Sequence, residues 1–176
     1  LEIGKLKRDY ISDDEMGNNV KKAVIASEDQ AFFTHNGFDY KAIEKAMKYN
    51  EQGKKLRGGS TISQQTAKNI FLWQGRSWIR KGLEAVYTFI IELVWGKDVI
   101  LERYLNSIEM GQGVFGVEAA SQYYFNKSSA NLTKSEAAWI ATILPNPKKY
   151  DPKNPSGYLN RKHAWIMRQM NHVSLK

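Results

Sequence analysis

Glu28 is the first residue whose place in the chain suggests chemistry. It follows Val24 by four residues and Val20 by eight, which sets its carboxylate on the helical stripe that ought to face the core. A carboxyl at the inner end of an apolar face is desolvated, and desolvation moves it toward the range in which a general acid or base works near neutral pH. The competing reading is a carboxylate paired with a buried arginine or capping a neighbouring helix. Asp29, next in the chain, suits orienting neighbours or accepting backbone N–H bonds.

A second candidate is the run Gly58-Gly59-Ser60-Thr61-Ile62-Ser63-Gln64-Gln65-Thr66-Ala67-Lys68-Asn69. Glycines entering a helix leave the first-turn N–H groups open, and with the helix dipole these form an anion site. Thr61, Gln64, Gln65 and Lys68 fall on one polar stripe, able to hydrogen-bond a sugar and to set a cation one turn further in. An ordinary capped surface helix would carry the same pattern. A nucleotide-binding P-loop is excluded, because the Gly-Lys-Ser/Thr ending is missing and no strand precedes the run.

Arg76, Arg80, Lys81 and Glu84 form a third group. It reads either as a surface ion pair between Arg80 and Glu84 at i, i+4 or as a cationic pocket with one carboxylate inside it. Trp73 and Trp78 flank the group; aromatic residues beside basic ones suit a membrane headgroup surface, although core burial is the commoner fate of Trp. His35, His163 and His172 show no metal-ligand spacing, and there is no Gly-x-Ser-x-Gly nucleophile elbow.

Helices must carry these groups, since no alternating strand pattern and no internal repeat is present. Ser12-Asp13-Asp14-Glu15 is a capping box that predicts a first helix running to about Phe33, with a second from Phe38 to Tyr49. Between Asn50 and Gly59 lies a basic, glycine-rich loop. Thr61 caps a helix to about Trp73, and Ser77 caps a long one through Trp95 that Gly96 stops. Shorter helices are expected at Val99–Asn106, Val117–Phe125 and Lys134–Leu144, with a last one from Tyr158 to Val173.

The chain of 176 residues is long enough for one domain with its own core, and its 42% apolar share argues against a disordered tail. With no Cys it has no disulfide framework, thiolate zinc site or cysteine nucleophile. A formal charge of +8 points to an anionic partner: nucleic acid, an acidic membrane surface or a phosphorylated substrate. The longest apolar stretch, Tyr87 to Trp95, is interrupted by Glu92 and falls well short of the roughly 20 residues that cross a bilayer.

Taken together, the motifs resemble those of the peptidoglycan glycosyltransferases of the family 51 type. Residues Glu28 to Gly37 are similar to the first family motif, Glu-Asp-x-x-Phe-x-x-His-x-Gly, and Gly58 to Asn69 match the second, Gly-x-Ser-Thr-Ile-x-Gln-Gln-x-x-Lys-Asn, without a departure. Arg80 to Glu84 fit the third, Arg-Lys-x-x-Glu; Lys97 to Asn106 and Gly116 to Phe125 resemble the fourth and fifth. The wording around them is most similar to the monofunctional transglycosylases of Gram-negative bacteria, and a glycosyltransferase domain of a bifunctional penicillin-binding protein would look alike.

The resemblance implies an all-α fold, with a lysozyme-like helical large lobe and a smaller membrane-facing jaw, as a single domain over residues 1–176. It also implies an N-terminal transmembrane anchor that these residues do not include. The implied activity is polymerisation of lipid II into glycan strands, with inversion and release of undecaprenyl pyrophosphate. Glu28 and Glu84 are the implied catalytic residues, with Glu28 as general base. Asp29, Ser60, Thr61, Gln64, Gln65, Lys68, Asn69, Arg76, Arg80 and Lys81 are expected to bind substrate. Glu84 would hold a divalent cation, Mg²⁺ or Mn²⁺, together with the pyrophosphate, and no organic cofactor is implied. Expected partners are lipid II, the growing glycan, an anionic membrane surface and other cell-wall synthesis proteins, at the periplasmic side of the inner membrane; nucleic acid is not among them. The alternatives are a lysozyme-like hydrolase or lytic transglycosylase, and a basic nucleic-acid-binding module.

Overall fold

The computed structural model describes residues 7–51, 59–73, 75 and 77–175. Arg76 and most of the loop expected between Asn50 and Gly59 lie outside these residues. Among them are eight α-helices: α1 (Asn18–Glu28), α2 (Tyr40–Glu51), α3 (Ile62–Phe71), α4 (Trp78–Val94), α5 (Lys97–Ser107), α6 (Val117–Phe125), α7 (Lys134–Ile143) and α8 (Gly157–Gln169). No described helix is long and apolar enough to cross a membrane.

The chain is mostly helical, as expected, but it also holds a small three-stranded sheet that the sequence pattern does not announce. Strands β1 (Lys7–Arg8), β2 (Glu109–Gly111) and β3 (Val114–Phe115) lie in the order β1-β3-β2, β1 parallel and β2 antiparallel to β3. Strands of two or three residues are too short to show a period of two.

Side-chain caps set most helix starts. Thr61 Oγ1 accepts from the Gln64 N–H while the Gln64 side chain returns to the Thr61 N–H, a reciprocal box that Thr133 and Glu136 repeat on α7. Ser77 caps α4 and Ser156 caps α8. Ser12 and Glu15 also form their box, yet it closes only a 3₁₀ turn over Asp13–Glu15, and α1 starts at Asn18. Packing explains the break. A Cβ on Gly17 would stand 2.6 Å from the Ser129 carbonyl oxygen, so the chain passes the Ser129–Asn131 turn at a distance only glycine allows.

The core is built on α1, whose Val20, Ala23, Val24 and Ala26 are wholly buried, and which packs on α7 and α8. Ala137, Ala138 and Ala141 meet it from α7, and small side chains on both helices let them lie close. Helix α1 ends at Glu28, not near Phe33, because Asp29 leaves helical geometry at φ −162°, ψ 77°. The turn that follows sends Phe32 into the core. A second group joins α3 to both α4 and α5.

Helix α4 reverses the usual polarity. Its buried residues are Glu84, Thr88 and Ile91, while Trp78, Ile79, Val86, Phe89, Leu93 and Val94 are each more than half exposed. Trp78 is 92% exposed, the opposite of the usual fate of Trp. On the inner side Glu92 receives Lys97 Nζ at 2.6 Å and the Ser63 hydroxyl, and Lys97 also lies 4.8 Å over the Phe32 ring. This nearly buried ion pair fastens α4 to the entry of α3 and to the start of α5.

Candidate active site

Glu28 stands at the last residue of α1, on the wall of a cleft of about 1210 Å³ that Asp29, His35, Lys41, Lys45, Ser60 and Phe89 also line. Its Oε1 accepts from Ser27 Oγ at 3.1 Å, and its Oε2 accepts from Gln65 Nε2 at 3.2 Å. The Gln65 carbonyl oxygen in turn accepts from the Tyr104 hydroxyl at 3.2 Å. Lys162 of α8 donates to the Thr142 carbonyl at 3.3 Å. Burial holds the Lys162 ammonium below its ordinary pKa, against the opposing pull of the Glu28 charge. The carboxylate thus accepts from two neutral donors, with the Lys162 charge acting on it electrostatically. Among the described residues no arginine pairs with Glu28, the competing reading of its place in the sequence.

Asp29 is buried and both its oxygens are engaged. Its Oδ2 accepts from the Ile62 N–H at 3.0 Å and from His35 Nε2 at 2.8 Å. His35 Nδ1 accepts from the Gly37 N–H at 3.0 Å, which leaves the ring proton on Nε2, facing Asp29. The Gly37 carbonyl then accepts from Thr61 Oγ1 at 2.6 Å. Gly37 sits at φ +90°, with Thr88 Cγ2 only 2.9 Å from where a Cβ would stand. Asp29, His35 and Gly37 therefore brace the turn after α1 against the N-terminus of α3.

This bracing divides the polar stripe expected along α3. Thr61 and Gln64 are buried, at 2% and 6% exposure; the Gln64 carbonyl oxygen and Thr61 Oγ1 serve the cap, and the Thr61 hydroxyl also donates to Gly37. Only Gln65 of that pair of glutamines reaches Glu28. Ser60 is exposed at the mouth of α3, Lys68 is half-buried and Asn69 exposed; among the described residues none of the three makes a side-chain hydrogen bond or ion pair.

On α4 the expected Arg80–Glu84 pair is replaced by Lys81 Nζ to Glu84 Oε1 at 2.6 Å. Glu84 is 4% exposed, so this is a carboxylate buried against the fold and not a surface ion pair. Arg80 Nε is buried with no hydrogen-bond partner among the described residues, a donor that an anion entering this site would satisfy. Among the described residues no three His, Asp or Glu side chains gather to hold a metal ion.

The structure joins the first motif to the second through Asp29, His35, Gly37 and Thr61, and to the fourth through Gln65 and Tyr104; Lys68, Arg80, Lys81 and Glu84 do not line the cleft beside Glu28. The family profile described as Transglycosylase matches residues 2–171. The chain belongs to the transglycosylase family. Among curated proteins it is 55% identical over 171 residues to a biosynthetic peptidoglycan transglycosylase of Mannheimia succiniciproducens, covering 97% of this chain and 70% of that one. It is 51% identical over 170 residues to the protein of the same description in Haemophilus influenzae, covering 96% and 69%. The corresponding Escherichia coli protein is 56% identical over 163 residues, covering 92% and 67%.

Three residues that bear on Glu28 or Asp29 in the structure were not among the site residues expected from the sequence, although His35 lies in the first motif. His35 fits no metal-ligand spacing, but it stands six residues after Asp29, and a turn at the end of α1 brings the two together. Tyr104 reads as one more apolar position of α5, and it is wholly buried. Lys162 reads as surface charge on α8, where nothing local marks its electrostatic interaction with Glu28.

Proposed function

We infer that the chain is a peptidoglycan glycosyltransferase that polymerises lipid II into glycan strands. The observation that carries this reading is the family match along nearly the whole chain, joined to a junction that sets one carboxylate, Glu28, beside a cleft and beside a helix bearing Lys68.

Glu28 takes the proton of the acceptor's 4-hydroxyl as that oxygen bonds to C1 of the donor sugar. The C1–O bond to the pyrophosphate breaks with inversion, and its electron pair leaves on undecaprenyl pyrophosphate. This leaving group is already a stable anion, so it needs charge neutralisation more than a proton. Lys68, Arg80 and Lys81 supply positive charge, with Arg76 expected to join them from the resemblance, and the unpartnered Arg80 Nε supports an anion site there. A divalent cation would be shared between Glu84 and the pyrophosphate, since Mg²⁺ is commonly held by one or two carboxylates plus substrate phosphates. The described residues supply one carboxylate there, already engaged by Lys81, so no step is routed through the ion.

Given labelled lipid II, the chain is expected to lengthen glycan and release undecaprenyl pyrophosphate; given finished glycan, it is expected to leave it intact. Cleavage of finished glycan without polymerisation would replace this reading by that of a hydrolase, which needs a general acid and no pyrophosphate clamp.

The same reading includes a lysozyme-like large lobe with a membrane-facing jaw, working at the periplasmic face of the inner membrane. The apolar outer face of α4 and the +8 charge support contact with an anionic bilayer. Leu93 and Val94 are each 71% exposed. Burying one such side chain in lipid is worth about 1.5–3 kcal/mol, so the double variant Leu93→Glu/Val94→Glu should partition onto anionic vesicles at least about tenfold more weakly. Flotation measures this, and unchanged partitioning would remove α4 as the docking face.

A further inference from the structure

Gln65 lies between a carboxylate and a phenol, and the two ends of its side-chain amide have nearly the same shape. Turned one way, its NH₂ donates to Glu28 and its carbonyl accepts from Tyr104; this is the arrangement observed. Turned the other way, its carbonyl oxygen would face the Glu28 carboxylate, an arrangement that becomes favourable once Glu28 is protonated and can donate. The second orientation would therefore hold the base in its spent form after each proton transfer.

We propose that Tyr104 is a positioning residue of the reaction: its buried hydroxyl fixes the Gln65 amide with the NH₂ end toward Glu28, so that the carboxylate is always met by a donor. The proposal rests on Glu28 being the general base. Tyr104 is suited to this task. Its side chain is wholly buried on α5, where its hydroxyl is far from competing water. Burial, with the nearby charges of Glu28 and Asp29, raises the phenol's pKa well above its ordinary value, so it remains a donor at any working pH. The chain Tyr104, Gln65, Glu28 crosses three helices, α5, α3 and α1, and connects the fourth motif to the first through the second.

The other charged groups bearing on Glu28 are Lys162 from α8, whose interaction with it is electrostatic, and Asp29, which is committed to His35 and the Ile62 N–H. Removing the Tyr104 hydroxyl leaves them unchanged. Donors to a carboxylate favour its charged form, and their loss favours the protonated form. The sign is therefore fixed: freeing the Gln65 amide moves the acidic limb of the kcat profile to higher pH.

The test is Tyr104→Phe, assayed on labelled lipid II from pH 5 to 9 beside the wild type and Glu28→Gln. Displacing a catalytic contact by a fraction of an ångström costs on the order of tenfold, so kcat should fall about tenfold at pH 6 with KM within about twofold, the deficit narrowing as the pH rises. A uniform fall at every pH would show a merely structural role and overturn the proposal, as would a superimposable profile. If Glu28→Gln kept wild-type turnover, the base assignment itself would fail and the proposal with it. If Glu28→Gln were inactive and Tyr104→Phe unshifted, only the role of Tyr104 would fall.

Discussion

Glu28→Gln should stop polymerisation while leaving the protein folded and able to capture lipid II. The change keeps the size and shape of the side chain: its carbonyl can still accept from Gln65, its NH₂ can donate to the rotatable Ser27 hydroxyl, and the ability to take a proton is lost. A positioned general base contributes about 10²–10⁴-fold, so the initial rate on labelled lipid II should fall by that factor. The dissociation constant for lipid II should stay within about threefold, because charge recognition by Lys68 and Arg80 lies elsewhere and is untouched. Rate and affinity measured on one preparation separate the two effects. A variant retaining a tenth of wild-type turnover would assign the base to another residue.

Asp29→Asn should damage stability and turnover together, for a different reason. The Asp29 carboxylate accepts from two donors, the Ile62 N–H and His35 Nε2, and an amide of the same shape turns one acceptor into a third donor. Hydrogen bonds to a charged group are worth about 1.5–3 kcal/mol each, so a loss of about 3 kcal/mol in urea denaturation is expected. Turnover at a temperature where both proteins are folded should also fall, by about 10²-fold for a shift of 1 Å, because α3 carries Gln65 and Lys68 past Glu28. Wild-type stability and turnover in this variant would mean that the brace between the first two motifs is dispensable.

What could be read from sequence follows the range of the interactions involved. The caps at Thr61 and Ser77 were legible because each is closed by a residue three positions away. The end of α1 was not, since Asp29 leaves the helix to meet His35 and Ile62, contacts that helical periodicity does not contain. Periodicity placed Thr61, Gln64, Gln65 and Lys68 on one stripe, but it did not say which way the stripe faced; the cap and Gly37 take the first two inward. Spacing likewise suggested Arg80 as partner to Glu84 at i+4, and the buried position of Glu84 selected Lys81 at i+3. Tyr104 and Lys162 lie 76 and 134 positions after Glu28 and reach it only through the packing of α5 and α8 (104 − 28 = 76; 162 − 28 = 134).

The two sides of α4 answer to different demands. Its inner residues, Glu84, Thr88 and Glu92, each have a fixed partner, so shape and charge are both constrained there. Its outer residues Ile79, Val86, Leu93 and Val94 are each more than half exposed, and under the proposed membrane contact a fluid apolar phase asks only that they be greasy. Random substitution along this one helix should therefore yield opposite tolerance every half turn: Leu, Ile, Phe and Met interchangeable on the outside, and scarcely any exchange accepted within. A library selected for growth would print that 3.6-residue alternation directly if the proposed lipid contact is made, without a single lipid being seen.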